Sequence, residues 1–180
     1  EEDPPGARDA GRLTGDIAFE DVSFRYKNSD AKGAERVIKH LYLRIPAGQT
    51  VALVGPSGGG KTTLCNLIPR FYDPEEGRIT IGGTDIREFT RASLRRNVGM
   101  VAQDVFLFDG SIADNIRYGK LDATDQEVIE AAKKARIHDH VMTLEAGYDT
   151  QVGERGVKLS GGQKQRISIA RVFLKDPGIL

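Results

Sequence analysis

The sequence predicts an α/β protein: a small antiparallel sheet, a strand–loop–helix core, and then a mainly helical stretch. Three observations carry that prediction. Residues 17–26, 37–45 and 78–81 read as strands separated by turn residues. Residues 50–54 form a nearly continuous apolar run that ends in glycines and leads into a helical pattern at 62–68. From about Ser111 to Leu174 the apolar spacing is that of helices.

In Ile17–Tyr26, Val22, Phe24 and Tyr26 fall on one face and Ser23 and Arg25 on the other. Asn28–Gly33 is a polar turn, Val37–Ile45 a second strand closed by Pro46-Ala47-Gly48, and Arg78–Ile81 a third, followed by Gly82-Gly83. Thr50–Val54 reads as a strand covered on both faces, and Asn97–Ala102 as a further strand. In the helix Thr62–Ile68, Cys65 sits among Leu64, Leu67 and Ile68 and is expected in the core. Thr124 and Glu127 make a capping box ahead of Val128, Ala131, Ala132 and Ala135, which predicts a helix over 125–137. Ser160 and Gln163 make a second box, opening a helix through Ile167, Ala170 and Leu174 that Asp176-Pro177-Gly178 stops. Residues 1–15 are charged and Pro/Gly-bearing and read as a tail or linker, with order expected from Asp16.

Composition excludes several classes. The chain has 26 basic and 26 acidic residues, so no general basic surface is available for nucleic acid, and no nucleic-acid partner is expected. No apolar run approaches the roughly 20 residues a bilayer-crossing helix needs, so a membrane connection has to come through another segment or a partner. One cysteine allows no intrachain disulfide, and with His40, His138 and His140 it forms no metal-ligand pattern.

Gly55-Pro56-Ser57-Gly58-Gly59-Gly60-Lys61-Thr62 matches the phosphate loop G-x-x-x-x-G-K-[ST] at every fixed position, after a strand and before a helix. Gly58, Gly59 and Gly60 let the backbone wrap phosphate oxygens and aim N–H groups inward. The helix N-terminus adds about half a positive charge. Lys61 reaches the β- and γ-phosphates and the Thr62 hydroxyl can ligate Mg²⁺. About a hundred residues on, Leu159-Ser160-Gly161-Gly162-Gln163 offers a hydroxyl, two glycine N–H groups and another helix start, a second half-site for phosphate.

With this motif pair the chain resembles the nucleotide-binding domain of ABC (ATP-binding cassette) transporters of exporter type, over nearly all of residues 16–180. The resemblance implies a P-loop NTPase (RecA-like) core with an antiparallel β subdomain and an inserted helical subdomain. Residues 1–15 would be linker, about 16–104 the β subdomain and P-loop core, about 105–174 the helical subdomain with the signature helix, and 175–180 the start of the Walker B strand. It implies ATP and Mg²⁺ as cofactors. Tyr26 resembles the aromatic that stacks on adenine; Gly55, Ser57, Gly58, Gly59, Gly60, Lys61, Thr62 and Thr63 would hold ATP in cis. Ser160, Gly161, Gly162 and Gln163 would cover the γ-phosphate held by a second copy, in a head-to-tail pair that suits a homodimer. Gln103 resembles the Q-loop glutamine that positions water and, with Thr62, Mg²⁺. The Gln103–Phe108 region and Glu154, in the run Thr150–Gly156, would meet coupling helices of a transmembrane part, placing the domain at the cytoplasmic face of a membrane.

The resemblance places the Walker B Asp, its following Glu and the switch histidine beyond Leu180. The expectation is that the protein continues, and that these 180 residues alone hold the groups that grip ATP without the general base that hydrolyses it. The competing expectations are a non-transport ATPase of the same superfamily, which the absence of heptads disfavours, and a nucleotide-binding module without hydrolysis.

Overall fold

The structure, a computed structural model, describes residues 3–26, 35–153 and 158–180. The polar turn expected at Asn28–Gly33 and the candidate Glu154 lie outside the described residues. The chain divides into two compact units, Glu1–Val98 with Ile179 and Gly99–Gly178 with Leu180.

The first unit contains β1 (Ile17–Phe24), β2 (Ile38–Ile45), α1 (Lys61–Leu67), β3 (Glu76–Ile81), β4 (Thr84–Asp85) and α2 (Arg91–Asn97). The strands form one antiparallel sheet in the order β2-β1-β3-β4. Between Phe19 and Val22 the register shifts at a bulge where Asp21 takes φ 54°. The extra residue resets the alternation, so both Phe19 and Val22 face the core. Ser23, expected on the outer face, is fully buried, because its hydroxyl accepts the His40 N–H at 3.1 Å. Opposite the bulge stands Gly77, at φ 78°, where a Cβ would overlap the carbonyl oxygens of Glu20 and Asp21. Phe19, Val22, Phe24, Ile79 and Ile81 pack with Leu64 and Leu67 of α1 and Leu94 of α2.

Order begins well before Asp16. Leu13 is buried, and its N–H donates to Asn97 Oδ1 at 2.7 Å. Asn97 Nδ2 donates to Gly11 O, and Ser93 Oγ accepts from Ala10 N at 3.0 Å. A polar composition says only that a segment lacks a core of its own; here its backbone groups find fixed partners on α2.

Two expected strands are absent. Residues 50–54 form none, and Val51 and Val54 are exposed. Asn97 ends α2, Val98 makes a single parallel bridge to Ile179, and 99–102 are irregular. A strand covered on both faces needs pairing along its edges. Among the described residues that bridge is all the pairing this region has. The apolar pattern reported a tendency to burial, not the presence of a partner.

The second unit contains β5 (Gly110–Ser111), α3 (Ile112–Arg117), α4 (Asp125–Lys134), α5 (His138–Val141), β6 (Gln151–Val152) and α6 (Gly161–Lys175), with β5 and β6 paired antiparallel. Reciprocal capping boxes open α3 (Ser111, Asp114), α4 (Thr124, Glu127) and α6 (Ser160, Gln163). Ile112, Ile116, Val128, Ala132, Ile137, Val141 and Ile167 form its core. The helix expected over 125–137 ends at Lys134. Arg136 turns left-handed at φ 58°, with Ile137 N bonded to Ala132 O and Arg136 N to Lys133 O. This is a Schellman ending, which swings Ile137 into the core although the helical spacing has ended.

A testable consequence concerns the bulge. Gly77→Ala adds steric overlap to left-handed strain. Gly83→Ala, at φ 79° with open space around it, adds the strain alone, about 1–2 kcal/mol. Denaturant unfolding of the intact protein should rank Gly77→Ala as the more destabilising; equal losses would contradict the packing described for the bulge.

Candidate functional site

α1 starts without a side-chain cap. Its N-cap is Gly60 at φ 80°, and the first helical bond runs from Leu64 N to Gly60 O at 2.8 Å. The N–H groups of Lys61, Thr62 and Thr63 therefore have no acceptor within the helix. Ahead of them Gly58 also takes a left-handed conformation, φ 79°, and Gly59 N closes a turn onto Pro56 O. Gly55 through Gly59, including Ser57, are exposed. Lys61 folds back over this loop, donating Nζ to Gly55 O at 2.8 Å and Pro56 O at 2.7 Å. An ammonium has three protons, so one donor remains for a ligand. A fixed ammonium, uncapped amides and the exposed Thr62 hydroxyl suit a polyphosphate with a hard divalent cation.

Tyr26 lies two residues beyond β1, half-buried, its ring edge-to-face with Phe24 and Tyr72 at centroid distances of 5.0 and 5.1 Å. Its hydroxyl pairs with Thr63 Oγ1 at 2.9 Å. The structure thus ties Tyr26 to the loop helix. Thr63 is buried with its hydroxyl engaged by Tyr26, leaving its backbone N–H as the group it can offer a ligand. Cys65, expected in the core, is exposed. α1 buries Thr63, Leu64 and Leu67, and the side chain following Leu64 points about 100° away from that face.

Ser160, Gly161 and Gly162 are exposed at the start of α6, while Leu159 is buried as their anchor. Ser160 Oγ accepts the Gln163 N–H at 3.3 Å and Gln163 Oε1 accepts the Ser160 N–H at 2.7 Å. The box closes those two donors and leaves the N–H groups of Gly161 and Gly162 without an acceptor in the helix. A Cβ at Gly161 or Gly162 would meet nothing within 4 Å. Glycine in a helix costs about 0.5–1 kcal/mol relative to alanine. Among the described residues nothing calls for it at either position.

Gln103 is an exposed residue of the irregular segment that precedes β5. Beyond it Phe106 and Phe108 project with Tyr118 of the α3 C-cap. The three rings form a chain with centroid distances of 5.2 and 4.4 Å, and they are 70, 40 and 60% exposed. Asn115 fixes the segment: its Oδ1 accepts from Phe108 N, and its Nδ2 donates to Phe108 O, each at 3.0 Å. Sequence reading reached Phe108 and missed Tyr118, whose exposure depends on where α3 ends.

Residues 38–180 match the ABC transporter family, and the chain belongs to that family. YgaD of Bacillus subtilis, named for a multidrug export ATP-binding/permease role, is 56% identical over 178 residues, covering 99% of this chain and 30% of YgaD. YwjA of the same organism, an uncharacterized ABC transporter ATP-binding protein, is 50% identical over 179 residues, again 99% of this chain and 30% of the relative. Among solved structures, a bacterial Atm1-family ABC exporter with ATP bound superposes with a TM-score of 0.90 at 46% identity, covering 97% of this chain and 30% of that one. The chain thus spans about 30% of the length of these relatives. The α/β class expected from the sequence, with its antiparallel sheet and helical part, is the class of this structural relative.

Replacing Lys61 with alanine should weaken binding of ATP or tripolyphosphate by roughly 10- to 100-fold, the effect of removing a charged hydrogen bond. Isothermal titration of the intact protein measures it, and unchanged affinity would refute the phosphate-loop assignment.

Proposed function

We propose that this chain is the ATP-binding and ATP-hydrolysing motor domain of a membrane exporter, working as one of two head-to-tail copies. The observation that carries the reading is the open space at Gly161 and Gly162: two helix-opening glycines that no contact among the described residues requires, beside their own two N–H donors. Such a surface suits close approach of another molecule's phosphate. The uncapped, lysine-bearing loop at Gly55–Thr63 supplies the complementary half.

In this reading Tyr26 carries the adenine, Gly55, Ser57, Gly58, Gly59, Gly60, Lys61, Thr62 and Thr63 hold the phosphates, and Ser160, Gly161, Gly162 and Gln163 close over them from the second copy. Thr62 and Gln103 would hold Mg²⁺, which when bound supplies charge neutralisation between phosphate oxygens. Gln103 also takes the water-positioning role that the family resemblance implies. Lys61, held over its loop by Gly55 O and Pro56 O, keeps one ammonium proton for phosphate. The structural relative, an exporter with ATP bound, supports the cofactor; the export and permease roles in relatives' names support transport.

The exposed aromatic patch Phe106–Phe108–Tyr118 is the surface we assign to the coupling helices of the transmembrane part, with Glu154 as a further contact. No helix among the described residues is long and apolar enough to cross a membrane, and the domain would sit at the cytoplasmic face through that partner.

Gly162→Ala separates this reading from a structural one. It should leave the melting temperature unchanged or raise it, and lower the ATPase rate of the intact protein at least about tenfold, a loss of ~1.4 kcal/mol in the transition state. Full activity with the alanine in place would refute the shared site.

A further inference from the structure

Arg171 lies on α6, eleven residues beyond Ser160, and its guanidinium reaches both the aromatic patch and the Asn115 that holds it. Nη1 donates to Phe106 O at 2.9 Å, Nε to Asn115 O at 2.7 Å and Nη2 to Asn115 Oδ1 at 2.6 Å. The plane lies over the Phe108 ring, 5.4 Å from its centroid. Asn115 Oδ1 is the same atom that accepts from Phe108 N, so one amide oxygen joins the guanidinium to the segment carrying the patch. Gly119 seals the junction: a Cβ there would overlap the carbonyl of Arg171 itself.

The electrostatics are unusual for a tether. Arg171 is half-buried, and burial lowers its pKa. Among the described residues it makes no ion pair; its partners are carbonyl-type oxygens and a ring. A charge desolvated without a countercharge costs stability. A planar fork holding three oxygens in set directions fixes orientation in a way that one ammonium or an apolar side chain does not.

We propose that Arg171 is a positioning residue that fastens the Phe106–Phe108–Tyr118 patch to the signature helix, so that a displacement of the patch is delivered to Ser160–Gln163. α6 is continuous between the two ends, a rigid span of about 16 Å at 1.5 Å per residue. The patch is thereby bound to the helix whose first turn presents Gly161 and Gly162. The inference rests on the reading that the patch docks a membrane partner and the first turn meets nucleotide.

A double-mutant cycle tests it. The ATPase kcat and KM of the intact protein in liposomes are measured with ATP alone for wild type, Tyr118→Ala, Arg171→Lys and the pair. Each single change should lower kcat roughly tenfold with KM for ATP changed less than about twofold, and the pair should be no slower than either single change. Losses that multiply to about a hundredfold, or full kcat in Arg171→Lys, overturn the proposal. Full kcat in Tyr118→Ala overturns the docking reading and the inference together, whereas multiplying losses overturn the inference alone. Where Arg171→Lys fails to fold, Phe108→Leu replaces it in the cycle; it removes the ring under the guanidinium and keeps an apolar side chain, and the same non-multiplying result is expected.

Discussion

Helices begin with backbone donors that the helix cannot satisfy, and how each of these donors is dealt with organises the molecule. α2, α3 and α4 each close part of theirs with a capping side chain, Thr90, Ser111 and Thr124. α1 closes none and holds an ammonium beside them. α6 closes part through the Ser160–Gln163 box and leaves the two glycine amides. These two helix starts lie where the sequence spends glycine. The bulged sheet and the Tyr26–Thr63 pair hold the first in place, and buried Leu159 anchors the second.

Much of the fold could be read from local signals. The three long sheet strands, the loop helix and both predicted capping boxes depend on residues close in sequence, so pattern and structure agree there. What the sequence did not show depends on partners far along the chain. The tail expected before Asp16 is ordered because Asn97 and Ser93 accept its amides from more than 80 residues away. The run at 50–54 looks like a buried strand, yet burial needs an adjacent strand that composition does not reveal. α4 stops early because Arg136 adopts a left-handed turn that helical periodicity takes no account of.

The candidate site divides in the same way. Lys61, Thr62 and the signature glycines could be proposed from the sequence because phosphate chemistry imposes residue types at fixed spacing. The engagement of Thr63 with Tyr26, the exposure of Cys65 and the joining of Tyr118 to Phe106 and Phe108 were not, since each follows from the direction in which a helix face points. Arg171 lay within the signature helix and carried no motif of its own; only its three oxygen partners distinguish it from a solvated surface arginine.

The central claim is that the amides of Gly161 and Gly162 are donors for a phosphate held by another copy. Amide hydrogen exchange of the intact protein, followed with and without ATP across a range of protein concentrations, tests it most directly. The account predicts that ATP protects 55–63 at every concentration, and protects 160–163 only as concentration rises enough for two copies to meet. Protection of 160–163 that is independent of concentration, or absent while 55–63 is protected, would contradict it.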